Sequence, residues 1–366
     1  MARLLVLALT GLPEVVSDDD LAALLLAAAR ANDAELVEGD VLVVSSKIVS
    51  KALGLWADGQ DRSVAIAAQT VRTVAERRTG DRLTCVVEAV AGPVLAAAGV
   101  DASNTGGRVD VLLLPADPDA EAVRLREALL VATGLTRLGV VLSDTAGRPW
   151  RSGQTDFALG ASGVEVLDDL RDGVDADGRL LTATARAVAD ELAAAADLVK
   201  GKTEGIPAAV VRGTPWATDG PGPGARSLVR TGAGDWFGLG QAEAIRSALG
   251  VPPGGQAAQD VGIASVAPEP IIDRISRAVA VALRECETAG VDVGGAVSGG
   301  AVSGGAVSGG AEAGCAELRV SAATPYELGV VVSRLQVALW GEGLDVTVPP
   351  EVSGEATVLP LTDRLP

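Results

Sequence analysis

The stretch VLSDTAGRPWR ends an apolar run in a carboxylate and a hydroxyl, Asp144 and Thr145, and follows them with two guanidinium groups, Arg148 and Arg151. Oxygen groups delivered at the end of a buried strand suit a hard cation, because a desolvated carboxylate is costly unless something pairs with it. The rival reading is an internal Asp–Arg salt bridge. TGLPEV places Leu12, Pro13, Glu14 and Val15 just past an apolar run, where the bland alternative is a turn. VVSSKIVSK follows another such run and offers Ser46, Lys47 and Lys51, the two lysines four residues apart on one helical face. Hydroxyls and backbone N–H groups at a strand-to-helix junction cradle phosphate, and ammonium groups neutralise it. The alternative there is a solvated helix start. GVDASN supplies Asp101 and Asn104, or simply an Asx turn. VKGKTEG brings Lys200, Gly201, Lys202, Thr203, Glu204 and Gly205 into a turn after a helix, or caps that helix with its lysines.

The chain of 366 residues contains no histidine. Ser-His-Asp and Cys-His machinery are therefore excluded, and a metal must sit among oxygens, which favours Mg²⁺, Mn²⁺ or Ca²⁺ over zinc. Asp101 and Asp144 are the natural ligands. The formal net charge of −18 argues against a nucleic-acid partner or an anionic membrane surface. It leaves open an anionic small substrate met by local lysines or by a bound cation. Cys85, Cys286 and Cys315 show no C-x-x-C spacing and read as reduced thiols in a cytoplasmic protein. No apolar run reaches the length of a membrane span uninterrupted.

The elements that must hold these groups alternate. The opening residues read as a buried first strand, and SDDDLAALLLAAARA as a helix capped by Ser17. Aliphatic runs at 39–46, 109–115 and 138–144 read as strands, 68–78 as a helix, and DPDAEAVRLREALLVATG as a helix closed by Gly134. A long helix follows at 182–201, then the strand IPAAVVRG. This is a mixed α/β pattern. Past residue 250 the texture changes: VPPGGQAAQD reads as a linker, followed by an amphipathic helix and then strand, helix and strand. The expected domains are 1–250 and a small appended α+β domain at 251–366. The tandem Gly-Ala-Val-Ser repeat at 294–311 reads as a flexible insert.

Taken in order, TGLPEV, GDVLVVSSKIVSKALG, AAGVDASN, LLLPADPDAEAVRLREAL, LSDTAGRPWRSGQTDFALGASG, ADELAAAADLVKGKTEGIPAAVVRG and GAGDWFGLGQAEAIRSAL resemble the coenzyme F420-0:L-glutamate ligase family. The resemblance runs from about residue 4 to 248, and the actinobacterial branch is the nearest in character. It implies a GTP-dependent phosphorylation of the terminal carboxylate of F420-0, a deazaflavin with a phospholactate arm. Attack by the amine of L-glutamate follows, and further γ-linked glutamates are added later. Residue by residue, Leu12 to Val15, Ser46, Lys51 and Asn104 are similar to the family's GTP contacts. Asp101 and Asp144 are similar to ligands of one divalent metal, and Thr145 to a ligand of a second. The loop Gly201 to Gly205 is similar to its nucleotide-facing turn, with Lys202 where some members have a metal-binding Gln. The resemblance also implies an intertwined homodimer. Longer actinobacterial members continue into a flavin-binding nitroreductase-like domain; residues 251–366 are short for it and lack its Arg-rich opening, so no FMN is expected. Arg148 and Arg151 are candidates for holding a substrate anion.

Two other classes are weighed against this. A metal-dependent phosphohydrolase could use Asp144 as nucleophile, but the second acid expected two residues on is Ala146. A nucleotide-binding protein with a degenerate site would bind without turnover.

Overall fold

The computed structural model describes residues 3–201, 203–294, 300–302, 317–346 and 355–364. The chain divides into two compact units, Met1–Val71 with Val87–Asp235, and Arg72–Val86 with Trp236–Pro366. Residues 72–86 and 236–250 thus group with the C-terminal residues.

In chain order the elements begin with β1 (Leu5–Ala8), α1 (Leu21–Ala31), β2 (Val41–Ser45), α2 (Ser46–Ala52), β3 (Trp56–Ala57) and α3 (Arg62–Ala68). A hairpin of β4 (Thr70–Thr79) and β5 (Arg82–Ala89) follows, then β6 (Val94–Ala96), β7 (Val111–Leu112) and α4 (Pro118–Thr133). Next come β8 (Gly139–Arg148), β9 (Arg151–Ser162), β10 (Asp168–Asp169), β11 (Ala185–Arg186), α5 (Val188–Asp197) and β12 (Ala208–Arg212). The rest comprises α6 (Gln241–Ala248), α7 (Gln256–Val261), α8 (Ile271–Leu283), β13 (Gly290–Gly294), β14 (Gly300–Val302), β15 (Glu317–Ser321), α9 (Pro325–Gly341), β16 (Leu344–Val346) and β17 (Ala356–Asp363). The class is mixed α/β, as the sequence pattern implies.

The first unit is built on a five-stranded sheet in the order β1-β12-β2-β8-β9. Only β2 and β8 run parallel; the other neighbours are antiparallel. Strand side chains alternate, so an unbroken aliphatic strand is buried on both faces. Leu42, Val44, Val140 and Leu142 pack with α1, α2 and α4, and Val41, Val43 and Val141 pack with α5. The result is helix, sheet, helix. α4 starts where Asp117 accepts from Ala120 N at 3.1 Å and stops at Gly134 with φ +74°, a conformation glycine adopts without strain.

These readings change. The helix read over 182–201 is shorter: α5 spans Val188–Asp197, and Ala185–Arg186 before it pair with Asp168–Asp169 as a strand. Residues 70–79 form a strand, not a helix: Val74 and Glu76 are its buried positions, two apart. The buried acid at Glu76 hides the period-2 signal. The cap of α1 is Asp20, which accepts from Ala23 N at 3.0 Å, rather than Ser17. β1 is an edge strand with Leu5 exposed, not a buried one. The stretch read as a linker contains α7, buried through Ala258 and Val261. The repeat at 294–311 lies outside the described residues except for Gly294 and Gly300–Val302, and the latter pair with β13.

In the second unit α8 and α9 pack on an antiparallel sheet in the order β14-β13-β15-β17-β16. Ile275, Leu318, Leu328, Leu335, Leu339 and Leu344 are fully buried there. No helix among the described residues is long and apolar enough to cross a membrane.

Candidate active site

The parallel ladder of β2 and β8 ends at the pair Ser45 and Ser143. β8 does not stop there. It runs on to Arg148, paired with β9 alone, so Asp144 and Thr145 are mid-strand residues that leave the sheet where β2 gives out. A cleft of about 180 Å³ opens at this point in the first unit. Open α/β sheets place ligands at this end of their parallel strands.

Alternation along β8 sends Asp144 to one face and Ser143 and Thr145 to the other. On the Asp144 face, Lys47 from the first turn of α2 meets Asp101 at 2.8 Å and also donates to Ser103 O and Oγ at 2.9 and 2.8 Å. Asp101 is anchored by its backbone bridge to Leu112 and accepts from Ser103 N at 2.7 Å, so the Asx turn is real and sits inside the cleft wall. Burial pushes the Asp101 carboxyl up, but Lys47 and Ser103 outweigh it and hold the group below its ordinary range. Asp144 is different. Among the described residues no side chain hydrogen-bonds or ion-pairs with its carboxylate. Burial, reinforced by the charges of Asp101 and Asp156, pushes it up to about 6.

On the opposite face the polar groups close on one another. Asp156 of β9 accepts from Thr145 Oγ1 at 2.7 Å, from Ser143 Oγ at 2.9 Å and from Lys200 Nζ at 2.6 Å. Lys200 also donates to Ser143 Oγ at 2.6 Å. Lys200 leaves the end of α5 to do this, rather than capping the helix. Both Lys200 and Asp156 are buried.

Of the residues singled out in the sequence, Leu12, Pro13, Glu14, Val15, Lys51, Asp101, Asn104, Asp144, Thr145, Gly201 and Gly205 line this one cleft. The Lys51 ammonium is buried and bonded to Glu14. Ser46 is buried in the first turn of α2 and does not line the cleft, whereas its neighbour Ser45 does. Thr203 and Glu204 are exposed on the 201–205 turn, and Lys202 lies outside the described residues. Gly201 leaves room for Glu204: a Cβ there would meet Glu204 Oε2 at 1.8 Å, so that exposed side chain would have to swing away. Arg148 and Arg151 are not in the cleft wall; the ribbon formed by β8 and β9 carries them to its exposed tip, where Arg148 donates to Ser152 O at 3.3 Å. The internal Asp144–Arg salt bridge is accordingly absent among the described residues. Ser143, Asp156 and Asp197, which do not stand out in the sequence, also line the cleft.

No three acidic side chains gather into a cation cage among the described residues. The donor set nevertheless fits a hard divalent ion completed by ligand oxygens: Asp144 is desolvated with no side-chain partner among the described residues, the oxygens of Asp101 and Thr145 line the same cleft beside the Lys47 ammonium, and no His or thiolate competes.

A charged, strand-end cleft on a mixed sheet is where α/β enzymes bind their ligands. Residues 11–213 match the family model described as F420-0:Gamma-glutamyl ligase, and the chain belongs to that family of ligases. It is 41% identical over 227 residues to the coenzyme F420:L-glutamate ligase of Natronomonas pharaonis, covering 56% of this chain and 85% of that protein. The coenzyme F420:L-glutamate ligase of Haloarcula marismortui is 41% identical over 229 residues, 57% of this chain and 86% of its own. That of Halobacterium salinarum is 38% identical over 226 residues, 56% of this chain and 85% of its own.

Proposed function

We propose that this chain joins L-glutamate to coenzyme F420-0, and then to the growing γ-linked chain, with GTP as phosphoryl donor and Mg²⁺ or Mn²⁺ in the cleft. The observation that carries the reading is the unpaired Asp144 carboxylate at the strand end, facing a cleft rich in oxygens and ammonium groups, in a chain whose relatives are named for this ligation. GTP transfers its terminal phosphoryl group to the substrate carboxylate, giving an acyl phosphate and GDP. The glutamate amine then attacks the acyl carbon, the amide forms, phosphate leaves and the amine gives up a proton.

Phosphoryl transfer between anions is chiefly a matter of positioning and charge neutralisation. Asp101 and Asp144 hold one cation in this reading, and Thr145 offers an oxygen to a second. The cation supplies positive charge to the phosphoryl oxygens as negative charge shifts during transfer. Lys47 and Lys51 put further positive charge at the mouth of α2. In this reading the backbone of Leu12–Val15, Gly201 and Gly205, with Asn104 and with Ser45 in place of the buried Ser46, holds the nucleotide.

The ribbon that extends past the sheet, with Trp150 at its tip 83% exposed between Arg148 and Arg151, fits a chain that works as a homodimer. In that dimer the two arginines meet a substrate anion. We place the reaction in the cytoplasm, without FMN, nucleic acid or membrane.

GDP release separates this reading from its rivals. Release that requires both F420-0 and L-glutamate supports the ligase; release with water alone marks a phosphohydrolase; binding without release marks a degenerate nucleotide-binding protein.

A further inference from the structure

We propose that Asp156 is a positioning residue: it fixes Thr145 with its oxygen lone pairs toward the cleft and pins the Lys200 ammonium beneath it. The inference rests on the proposed ligase reading of the same cleft.

A backbone irregularity sets up the contact. The register passes from Leu142 opposite Gly160 to Ser143 opposite Ala158, so Leu159 is an extra residue on β9. Without that bulge Thr145 would face Phe157; with it, Thr145 faces Asp156. Bulges beside functional sites re-aim side chains in this way.

The carboxylate has acceptor oxygens only, and each has a fixed task. Oδ1 takes the hydrogen of Thr145 Oγ1, and Oδ2 takes those of Ser143 and Lys200. A threonine whose hydrogen is committed backward offers only lone pairs forward, the polarity a cation needs. Hydrogen-bond partners of this outer kind orient ligand groups, and their loss weakens metal binding by about 10–100-fold. Lys200 is held as a fixed positive charge on the floor of the cleft, with Asp156 balancing it until an anion arrives.

Asparagine at 156 reverses one polarity. Its amide oxygen must serve Lys200, so its NH₂ faces Thr145. Thr145 then accepts, and its hydrogen turns into the cleft.

The test uses the full chain with GTP and no F420-0, so that no turnover occurs, and reads bound Mn²⁺ by the loss of the free-ion EPR signal. Asp156→Asn is expected to weaken Mn²⁺ binding about 10–100-fold. In a Thr145→Val background the same change is expected to add less than about twofold, because the group it positions is gone. If Asp156→Asn does not fold, the pair Asp156→Ala with Lys200→Met removes both buried charges together, which folds tolerate better, and leaves Thr145 without its acceptor, so a loss of the same size is expected. Mn²⁺ affinity within twofold of wild type in either variant overturns the proposal. So does an equal loss in both Thr145 backgrounds, the signature of a purely structural role. A wild-type chain that takes up no Mn²⁺ with GTP overturns the metal reading itself, and this proposal with it.

Discussion

Two clusters of carboxylates and basic side chains in this chain end differently, one built of Glu and Arg and the other of Asp and Lys. Around Glu342 in the second unit the charges close on each other. Its carboxylate meets Arg246 at 2.5 Å and Arg277 at 2.7 Å, and Arg277 also holds Glu269 at 2.7 Å. At the strand end of the first unit, Lys47 is committed to Asp101 and Lys200 to Asp156, and Asp144 is left over beside open space. Buried charge as such is therefore a poor marker of function. A charge left unpaired at a cleft is a better one, because its desolvation is uncompensated until something binds.

The largest effect is expected at Glu342. Glu342→Ala strips the buried Arg246 of its carboxylate and leaves Arg277 with Glu269 alone, so stability should fall by about 3–5 kcal/mol in urea unfolding. Mn²⁺ binding by the folded chain should not change; a parallel loss would mean that the closed cluster also serves the site.

Asp144 should behave oppositely. Its folded-state carboxyl, at about 6, lies above the ordinary value of 3.8, so the folded protein keeps a proton that the unfolded chain has released. In the metal-free protein the contribution of Asp144 to stability should be full below about pH 4, decline up to pH 6 and stay lost above it, read as the difference between wild type and Asp144→Asn. The full effect is about 3 kcal/mol. Asp144→Asn should raise the urea midpoint at pH 7.5 in chelator; a difference between the two proteins that does not change between pH 4 and pH 7.5 would contradict the claim that this charge is uncompensated.

Burial, followed by the charge of Glu76, pushes the Cys85 thiol up to about 11. At pH 8 only about one part in a thousand is thiolate, so alkylation followed by mass spectrometry should be roughly a hundredfold slower than for an exposed cysteine. Glu76→Gln should speed it. The smallest effect is expected at the ribbon tip: Arg148→Ala should shift stability by less than about 0.5 kcal/mol. A drop in ligase turnover at unchanged stability would place Arg148 with the substrate in the dimer.

The sequence made the framework legible where hydrophobic pattern dominates. The unbroken aliphatic runs of β2 and β8 and the capped α4 could be read directly, and Asp101, Asp144, Thr145 and Lys51 carry side-chain chemistry that stands out after such runs. Two things were not legible. Strand β4 hides its period because one buried position is Glu76. Asp156 looks like an ordinary loop acid, since only the hairpin register and the bulge at Leu159 bring it opposite Thr145. Long-range pairing, not residue type, makes it part of the site.

The central claim is that the cleft around Asp144 ligates glutamate to F420-0, and mass spectrometry tests it most directly. F420-0 is incubated with the full chain, GTP, L-glutamate and Mn²⁺, beside an Asp144→Ala control. Products heavier by one or more glutamyl residues are expected, and are lost in the control. An unchanged F420-0 mass with folded wild-type protein would contradict it.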